Sequence, residues 1–199
     1  MLHSESKGKL TRKLILLQLA KSESPIDKDE VASLVDEARV GNIESFEKLY
    51  RLYSNKIYLL CLRLTGRKEL AEDHMQEAFI KAWQALGKFK GDSMFSTWIY
   101  RIAVNVVLGH QRKYQYEIFA DQDWQQAFED AISSSHTQQQ IDLEKAIAAL
   151  PMQAKNVLIL HDMMGMTHQE IGHSLDIATG TCKAHLNRAR TLLKEYFSE

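Results

Sequence analysis

The 199-residue sequence predicts an all-α protein built as two small helical domains joined by an acidic linker. Three observations predict it. Apolar residues recur at helical spacing through most of the chain and no alternating strand pattern appears. Only two prolines are present to interrupt helices, and the periodicity fails once, across a segment rich in acids, Ser and Gln. A hydrophobic content of 45% is enough to bury a core in each domain.

The elements follow in order. Val31, Leu34, Val35 and Ala38 mark one face of a first helix that stops near Gly41. A second runs from about Ile43 to Leu64 with Phe46, Leu49, Tyr50, Tyr53, Ile57 and Leu60, and ends near Gly66. In "ELAEDHMQEAFIKAWQAL", Met75, Ala78, Phe79, Ala82 and Leu86 build the apolar stripe of a third. After the polar loop "KFKGDS", a fourth begins near Ser96 or Thr97. Short connections make these four a bundle over residues 29 to 116. Residues 117 to 140 read as the linker, with a weak helical turn around Trp124 to Ile132. Periodicity resumes in the second domain, residues 141 to 199, where Pro151 suits a first helical turn. "THQEIGHSL" then offers a capping box in Thr167 and Glu170, and a short turn leads into a last helix ending near Phe197. The first 28 residues form an extension whose "KLTRKLILLQLAK" is amphipathic.

Charge is informative by segment. The formal net charge is −1, yet residues 117 to 142 carry six acids and no Lys or Arg, while no acid occurs between Asp176 and Glu195. Cys61 and Cys182 lie far apart without a CxxC partner, so neither a disulfide framework nor a zinc knuckle is expected and a reducing cytoplasm fits. The apolar run "LILL" is far short of the roughly 20 residues that span a bilayer, and no signal-peptide cleavage site follows it.

A short capped helix, a tight turn and a longer basic helix are the parts of a helix-turn-helix. On the last helix Cys182, Leu186, Ala189 and Leu193 form one stripe facing the domain. Lys183, Ala184, Asn187, Arg188 and Thr191 lie roughly opposite, with cations for phosphate or guanine and an amide for adenine. A solvated basic helix is the plain alternative to this DNA-reading face.

Two longer segments decide between them. "AEDHMQEAFIKAWQALGKFKGDSMFSTWIYRIAVN" resembles region two of the RNA polymerase sigma factors of the extracytoplasmic-function (ECF) group, and "LPMQAKNVLILHDMMGMTHQEIGHSLDIATGTCKAHLNRARTLL" resembles their region four. The resemblance covers roughly three quarters of the chain in the family's order. It implies a protein that lends promoter specificity to core RNA polymerase, with no catalytic activity, cofactor, metal or small-molecule substrate, and monomeric when free. By that resemblance Asp73, Gln76, Glu77 and Phe79 dock on the polymerase, with Trp83 open between docking and core. Lys88, Phe89, Lys90, Asp92, Ser93, Phe95, Ser96, Arg101, Asn105 and Arg112 engage the minus-ten element, Asn105 bonding a non-template base. Thr179, Gly180, Thr181, Lys183, Ala184, Asn187 and Arg188 engage the minus-thirty-five element. Trp98 is expected in the core. An anti-sigma partner is compatible with the resemblance, though no residue identifies one.

Departures from the family pattern are Lys155 and His161 where arginine is common, Ile171-Gly172 in place of "IA", and "TCKAH" in place of "TVKSR". They leave the exact minus-thirty-five sequence open. Gly172 weakens a helix by about 1 kcal/mol relative to Ala. Cys182 stands where a buried valine is usual and is read as a small apolar residue. The residues also admit two rival readings. "HDMMGMTHQEIGH" gathers histidines, but "HQEIGH" is not HExxH and no P-C-x-x-C follows, so no metal site is expected there. A helix-turn-helix regulator acting without polymerase would bind duplex alone, usually as a dimer.

Overall fold

The computed structural model describes residues 27–114, 124–131 and 138–197, and these divide into two units, 27–131 and 138–197. All secondary structure among the described residues is helical. The expected extension therefore lies outside the described residues up to position 26, as do 115–116 of the expected bundle and 117–123 and 132–137 of the expected linker.

In the first unit α1 (Lys28–Arg39) starts where the Asp27 carboxylate accepts from the Asp29 N–H at 3.0 Å. α2 (Ile43–Thr65) starts where the Asn42 side chain accepts from the Ser45 N–H at 3.1 Å. It ends where Gly66 takes the left-handed conformation, φ 66°, and its N–H donates to the Leu62 carbonyl at 2.8 Å. α3 (Lys68–Leu86) and α4 (Phe95–Tyr114) complete the bundle, and α2 packs against all three of the others. Most of the anticipated stripe residues are buried: Val31, Leu34, Val35 and Ala38 on α1, Leu49, Tyr53, Ile57 and Leu60 on α2, and Ala78, Phe79, Ala82 and Leu86 on α3, whereas Phe46 of α2 is half-buried and Tyr50 is exposed. On α3 the neighbouring His74 is buried and Met75 is only half-buried. The Ser45 hydroxyl donates to Glu37, tying α1 to α2.

The segment read as linker is partly folded. α5 (Trp124–Ala131) packs on α2, burying Ala127 and Phe128. The Arg63 guanidinium sits 5.4 Å from the Phe128 ring centroid, and the Asn55 side chain donates to the Ala131 carbonyl at 3.0 Å. Two adjacent apolar residues and a cation over a ring are enough to hold eight residues that composition alone assigns to a tether.

The second unit contains α6 (Gln138–Ala148), α7 (Met152–Leu158), a π-helical turn at Ile159–Met163, α8 (His168–Leu175) and α9 (Thr179–Tyr196). Pro151 precedes α7 as expected, but the helix widens into the π turn instead of continuing regularly to Gly165. α8 carries the anticipated capping box: Thr167 Oγ1 accepts from the Glu170 N–H, and the Glu170 carboxylate accepts from the Thr167 N–H at 2.8 Å. Cys182, Leu186, Ala189 and Leu193 of α9 are buried, with Val157, Leu158, Ile159, Leu160 and Ile171 supplying the rest of this core. Burial pushes both thiols up, Cys61 to about 12, so both behave as small apolar groups.

The turn between α8 and α9 explains Gly172. Asp176 adopts φ 54°, and the Ile177 N–H donates to the Gly172 carbonyl at 3.0 Å. A Cβ on Gly172 would lie 2.7 Å from the Ile177 carbonyl oxygen, which is backbone and cannot swing aside. Helix propensity favours alanine by about 1 kcal/mol, but overpacking against fixed groups costs about 1 to 3 kcal/mol. We expect Gly172→Ala to lower stability, by about 1 kcal/mol net, measured by urea unfolding followed through helical circular dichroism; a stabilised variant would show that the turn relaxes freely.

Lys155, only 1% exposed, has its ammonium pushed down to about 8 from an ordinary value of 10.5 by burial. A lowered lysine pKa means that the native state carries the cost of the buried charge in full below about 8, and that stability rises as pH climbs from about 8 towards 10.5, where the unfolded chain holds the extra proton. Lys155→Met is expected to gain about 1 to 3 kcal/mol at pH 7. That advantage over the native chain should shrink above pH 8, in the same unfolding measurement.

Candidate nucleic-acid interface

On α9 the core stripe fixes which side faces out. Thr179, Gly180, Thr181, Lys183, Ala184, Asn187, Arg188 and Thr191 are all exposed. The N-cap, Ala178, offers no side-chain acceptor, so the orphan N–H groups of the first turn and the positive end of the helix dipole point at the same space as Lys183. This is an anion-attracting end followed by a face carrying an amide and a guanidinium.

One buried ion pair orients that face. Asp162, in the π turn, is 0% exposed. Arg190 grips it with Nη2 on Oδ1 at 2.7 Å and Nε on Oδ2 at 3.3 Å, and His161 Nδ1 lies 2.9 Å from Oδ1. The bidentate fork fixes α9 in rotation as well as position. The histidine cluster noted in the sequence is thereby resolved: His161 and His168 stack with centroids 4.6 Å apart, while Arg190 occupies the carboxylate. Burial, reinforced by His161 and the cations Lys183 and Arg190, holds His168 below the usual histidine range.

In the first unit α4 presents Arg101, Asn105 and Arg112 on one exposed side, with Lys113 beside them. In the preceding loop Lys88, Lys90, Asp92 and Ser93 are exposed around Gly91, whose φ is 78°. Ser96 is half-buried. Phe89 and Phe95, expected among the DNA-facing groups, are buried instead. Phe89 packs on Trp98 with centroids 4.9 Å apart, and Phe95 packs on Tyr53 at 5.4 Å and on Trp98 at 5.7 Å. In this conformation they form an aromatic anchor that holds the loop ends, and Trp98, expected in the core, joins them half-buried.

On α3 Asp73 and Gln76 are exposed, Glu77 is half-buried and Phe79 is buried. Glu77 lies below its usual range, chiefly through a hydrogen bond from Lys81 and also one from His110. An exposed apolar strip runs beside them. Ile80 is 58% exposed and Trp83 37%, and with Ile43, Phe46 and Tyr50 they line an open groove of about 520 Å³. Sequence reasoning missed Ile80 and left Trp83 undecided. The signal was available, since Gln76, Ile80 and Trp83 fall at i, i+4 and i+7, off the core stripe. Also unforeseen is a cluster on α3 and α4 that joins His74, Glu77 and His110.

Comparison with known proteins places this geometry in a family. The family described as Sigma-70 region 2 matches residues 49–116, and Sigma-70, region 4 matches residues 140–193. The sigma-H factor of Pseudomonas aeruginosa is 30% identical over 178 residues, covering 83% of this chain and 92% of its own. The ECF sigma factor SigW of Bacillus subtilis is 29% identical over 174 residues, covering 81% and 93%. The ECF sigma-E factor of Escherichia coli K12 is 30% identical over 170 residues, covering 79% and 88%. Among solved structures, the sigma factor RpoE of Bartonella quintana, in complex with the anti-sigma factor NepR, matches with a TM-score of 0.54 at 21% identity, covering 78% of this chain and 98% of that one. CnrH, in complex with the cytosolic domain of CnrY, matches with a TM-score of 0.51 at 21% identity, covering 86% and 98%, and supports the same fold.

The two helical units thus define a sigma-type transcription initiation factor. The chain belongs to the ECF family of RNA polymerase sigma factors. That membership disfavours a free-standing helix-turn-helix regulator. Among the described residues no helix is long and apolar enough to cross a membrane.

Removing the Asp162 carboxylate would strand the part-buried Arg190. Breaking such a pair from one side costs about 3 to 5 kcal/mol. We expect Asp162→Ala to cost about that much in urea unfolding, and the double variant Asp162→Leu with Arg190→Met to recover most of it. Equal losses in the two would mean that the pair does not set the stability of this unit.

Proposed function

We propose how the two units divide the work of a sigma factor that directs core RNA polymerase to promoters. Asp73, Gln76 and Glu77, together with Ile80 and Trp83 of the adjoining groove, dock on the polymerase; Phe79 supports them from the core. Arg101, Asn105 and Arg112 meet the minus-ten element, with Lys88, Lys90, Asp92, Ser93 and Ser96 on the loop holding its opened strand. Phe89 and Phe95 position that loop. Thr179, Gly180 and Thr181 hold phosphate at the open start of α9, while Lys183, Ala184, Asn187 and Arg188 read minus-thirty-five duplex. Residues 29–116 and 141–199 are the two working modules, and 117–140 connect them. The protein works in the cytoplasm, where the polymerase is, without catalytic activity or cofactor of its own. An anti-sigma protein is the regulatory partner we propose, since RpoE of Bartonella quintana has one.

The observation that carries this reading is the presence in one chain of two outward polar faces, Arg101/Asn105/Arg112 and Lys183/Asn187/Arg188, each held by a separate buried core. Reconstitution with core polymerase and transcription from a random promoter library tests it. The native chain should select a two-part promoter. Trp83→Ala should weaken polymerase binding about tenfold, as loss of a hot-spot aromatic worth about 1.4 kcal/mol or more does. Asn105→Ala should leave polymerase binding intact and impair strand opening, and Arg188→Ala should lower upstream affinity about tenfold, within the roughly 1 to 3 kcal/mol of a bidentate base contact. Unselective transcription by the native assembly, or loss of polymerase binding shared by all three variants, would overturn the assignments.

A further inference from the structure

Three potential ligands come together where α3 meets α4. A ring nitrogen of His74, a carboxylate oxygen of Glu77 and a ring nitrogen of His110 all lie within 4.8 Å of one another. The His74 and His110 rings are 4.5 Å apart between centroids, and His110 Nε2 already lies 2.9 Å from Glu77 Oε2. His74 is 2% exposed, and its Nδ1 is buried with no hydrogen-bond partner. A buried polar atom left in that condition costs about 1 to 3 kcal/mol, so it calls for a reason. Packing supplies none: the position lies on the core side of α3, where an apolar residue would serve without the cost.

We propose that His74, Glu77 and His110 form a binding site for a first-row divalent cation of the zinc type. Two imidazoles and one carboxylate suit such an ion and not magnesium or calcium, which take oxygen ligands. Ligands at about 2.0 to 2.2 Å around a tetrahedral centre stand about 3.3 to 3.5 Å apart. The 2.9 Å contact between Glu77 and His110 needs little change to admit an ion in place of the shared proton, which leaves to solvent. The wider separations close by about 1.5 Å at most through rotation of side chains. Lys81 donates to the other oxygen of Glu77 at 2.8 Å and so orients the carboxylate from outside. Glu77 and His110 are about one-third exposed, which leaves an entry path and room for water at the fourth position. An ion held there would join the helix bearing Asp73 and Gln76 to the helix bearing Arg101 and Asn105.

Sequence spacing shows only half of this site. His74 and Glu77 stand at i, i+3 on α3, whereas His110 is 33 residues beyond Glu77. The experiment uses the full chain, freed of metal by chelation and titrated with Zn²⁺ by calorimetry and with Co²⁺ by its visible absorption. One equivalent should bind with micromolar or tighter affinity. Glu77→Gln and His110→Ala, each checked for native helical circular dichroism, should lose about tenfold or more in affinity. His161→Ala with His168→Ala should bind like the native chain. Failure of the native chain to bind either ion, native-like affinity in both Glu77→Gln and His110→Ala, or loss of binding in the His161/His168 variant alone would overturn the proposal.

Discussion

The helices that carry the polar faces, α3, α4 and α9, divide their circumference between a buried stripe and an open face, and the open face is useful only because desolvation of the other fixes its direction. On α9 the stripe Cys182, Leu186, Ala189 and Leu193 leaves no rotational choice, since turning the helix by one residue would put Lys183 into the core. Burial of an aliphatic side chain is worth about 1.5 to 3 kcal/mol, while an unpaired buried charge costs several. The two terms act in the same sense. On α4 the same logic sends Ile99, Ala103 and Val107 inward and Arg101, Asn105 and Arg112 outward.

Packing of this kind fixes rotation more firmly than it fixes sliding. The second unit adds a directional contact, the fork of Arg190 on Asp162, whose geometry is satisfied at one register only. A buried ion pair is a weak source of net stability compared with an apolar replacement, so its presence is better explained by orientation. Gly172 works with it. By letting the Ile177 carbonyl approach, it draws the turn close against α8 and sets where α9 begins. Lys155 illustrates the opposite balance, a buried cation whose desolvation lowers its pKa to about 8. The first unit uses apolar contacts for the same purpose: Phe89, Phe95 and Trp98 interlock, so the basic loop between them starts and ends on a fixed base.

How much of this was legible in the sequence follows from the range of each interaction. The stripes of α1, α2, α3 and α9 and the capping box at Thr167 are local, set by residues three or four apart, and all were readable. Features that need two elements at once were not. The helical turn at Trp124 to Ile132 was readable, but not that it packs: α5 lies in an acidic, Gln-rich stretch, and only the surface of α2, through Arg63 and Asn55, gives Ala127 and Phe128 something to pack on. The π turn shifts register by one residue, which periodicity cannot show. Phe89 and Phe95 flank a basic loop and so look like stacking groups; Phe95 packs on Tyr53, some forty residues earlier, and Phe89 packs on Phe95 and Trp98. The fork on Asp162 and the His74, Glu77 and His110 cluster are likewise long-range in sequence. The outward exposure of the polar side chains, by contrast, was legible wherever the residue stood opposite a clear core stripe, as Lys183, Asn187 and Arg188 do.

The charge distribution explains why such a protein needs a large partner. Of the four Lys and Arg on α9, Arg190 is engaged by Asp162, Lys194 stands in the last turn, and Lys183 and Arg188 lie on the outward face with Asn187. Nucleic-acid affinity rises with the number of phosphates neutralised, and proteins that bind duplex firmly make about 6 to 10 such contacts. Two cations and a helix start fall well short of that, and the chain as a whole carries a net charge of −1. If the two faces meet promoter DNA as proposed, either one alone discriminates among sequences more than it holds on to them. On that reading attachment comes from elsewhere, and this is the place we propose for the exposed strip of Asp73, Gln76, Ile80 and Trp83, which would add apolar area and polar contacts to a protein surface instead of positive charge to DNA. Binding through that strip turns promoter recognition into an event within one assembly, where a modest discriminating contact acts at high effective concentration. On the same reading, weak binding off the polymerase would keep the free chain from occupying duplex at random, so segregating acids away from Lys183, Asn187 and Arg188 without making the protein basic would serve selectivity and restraint together.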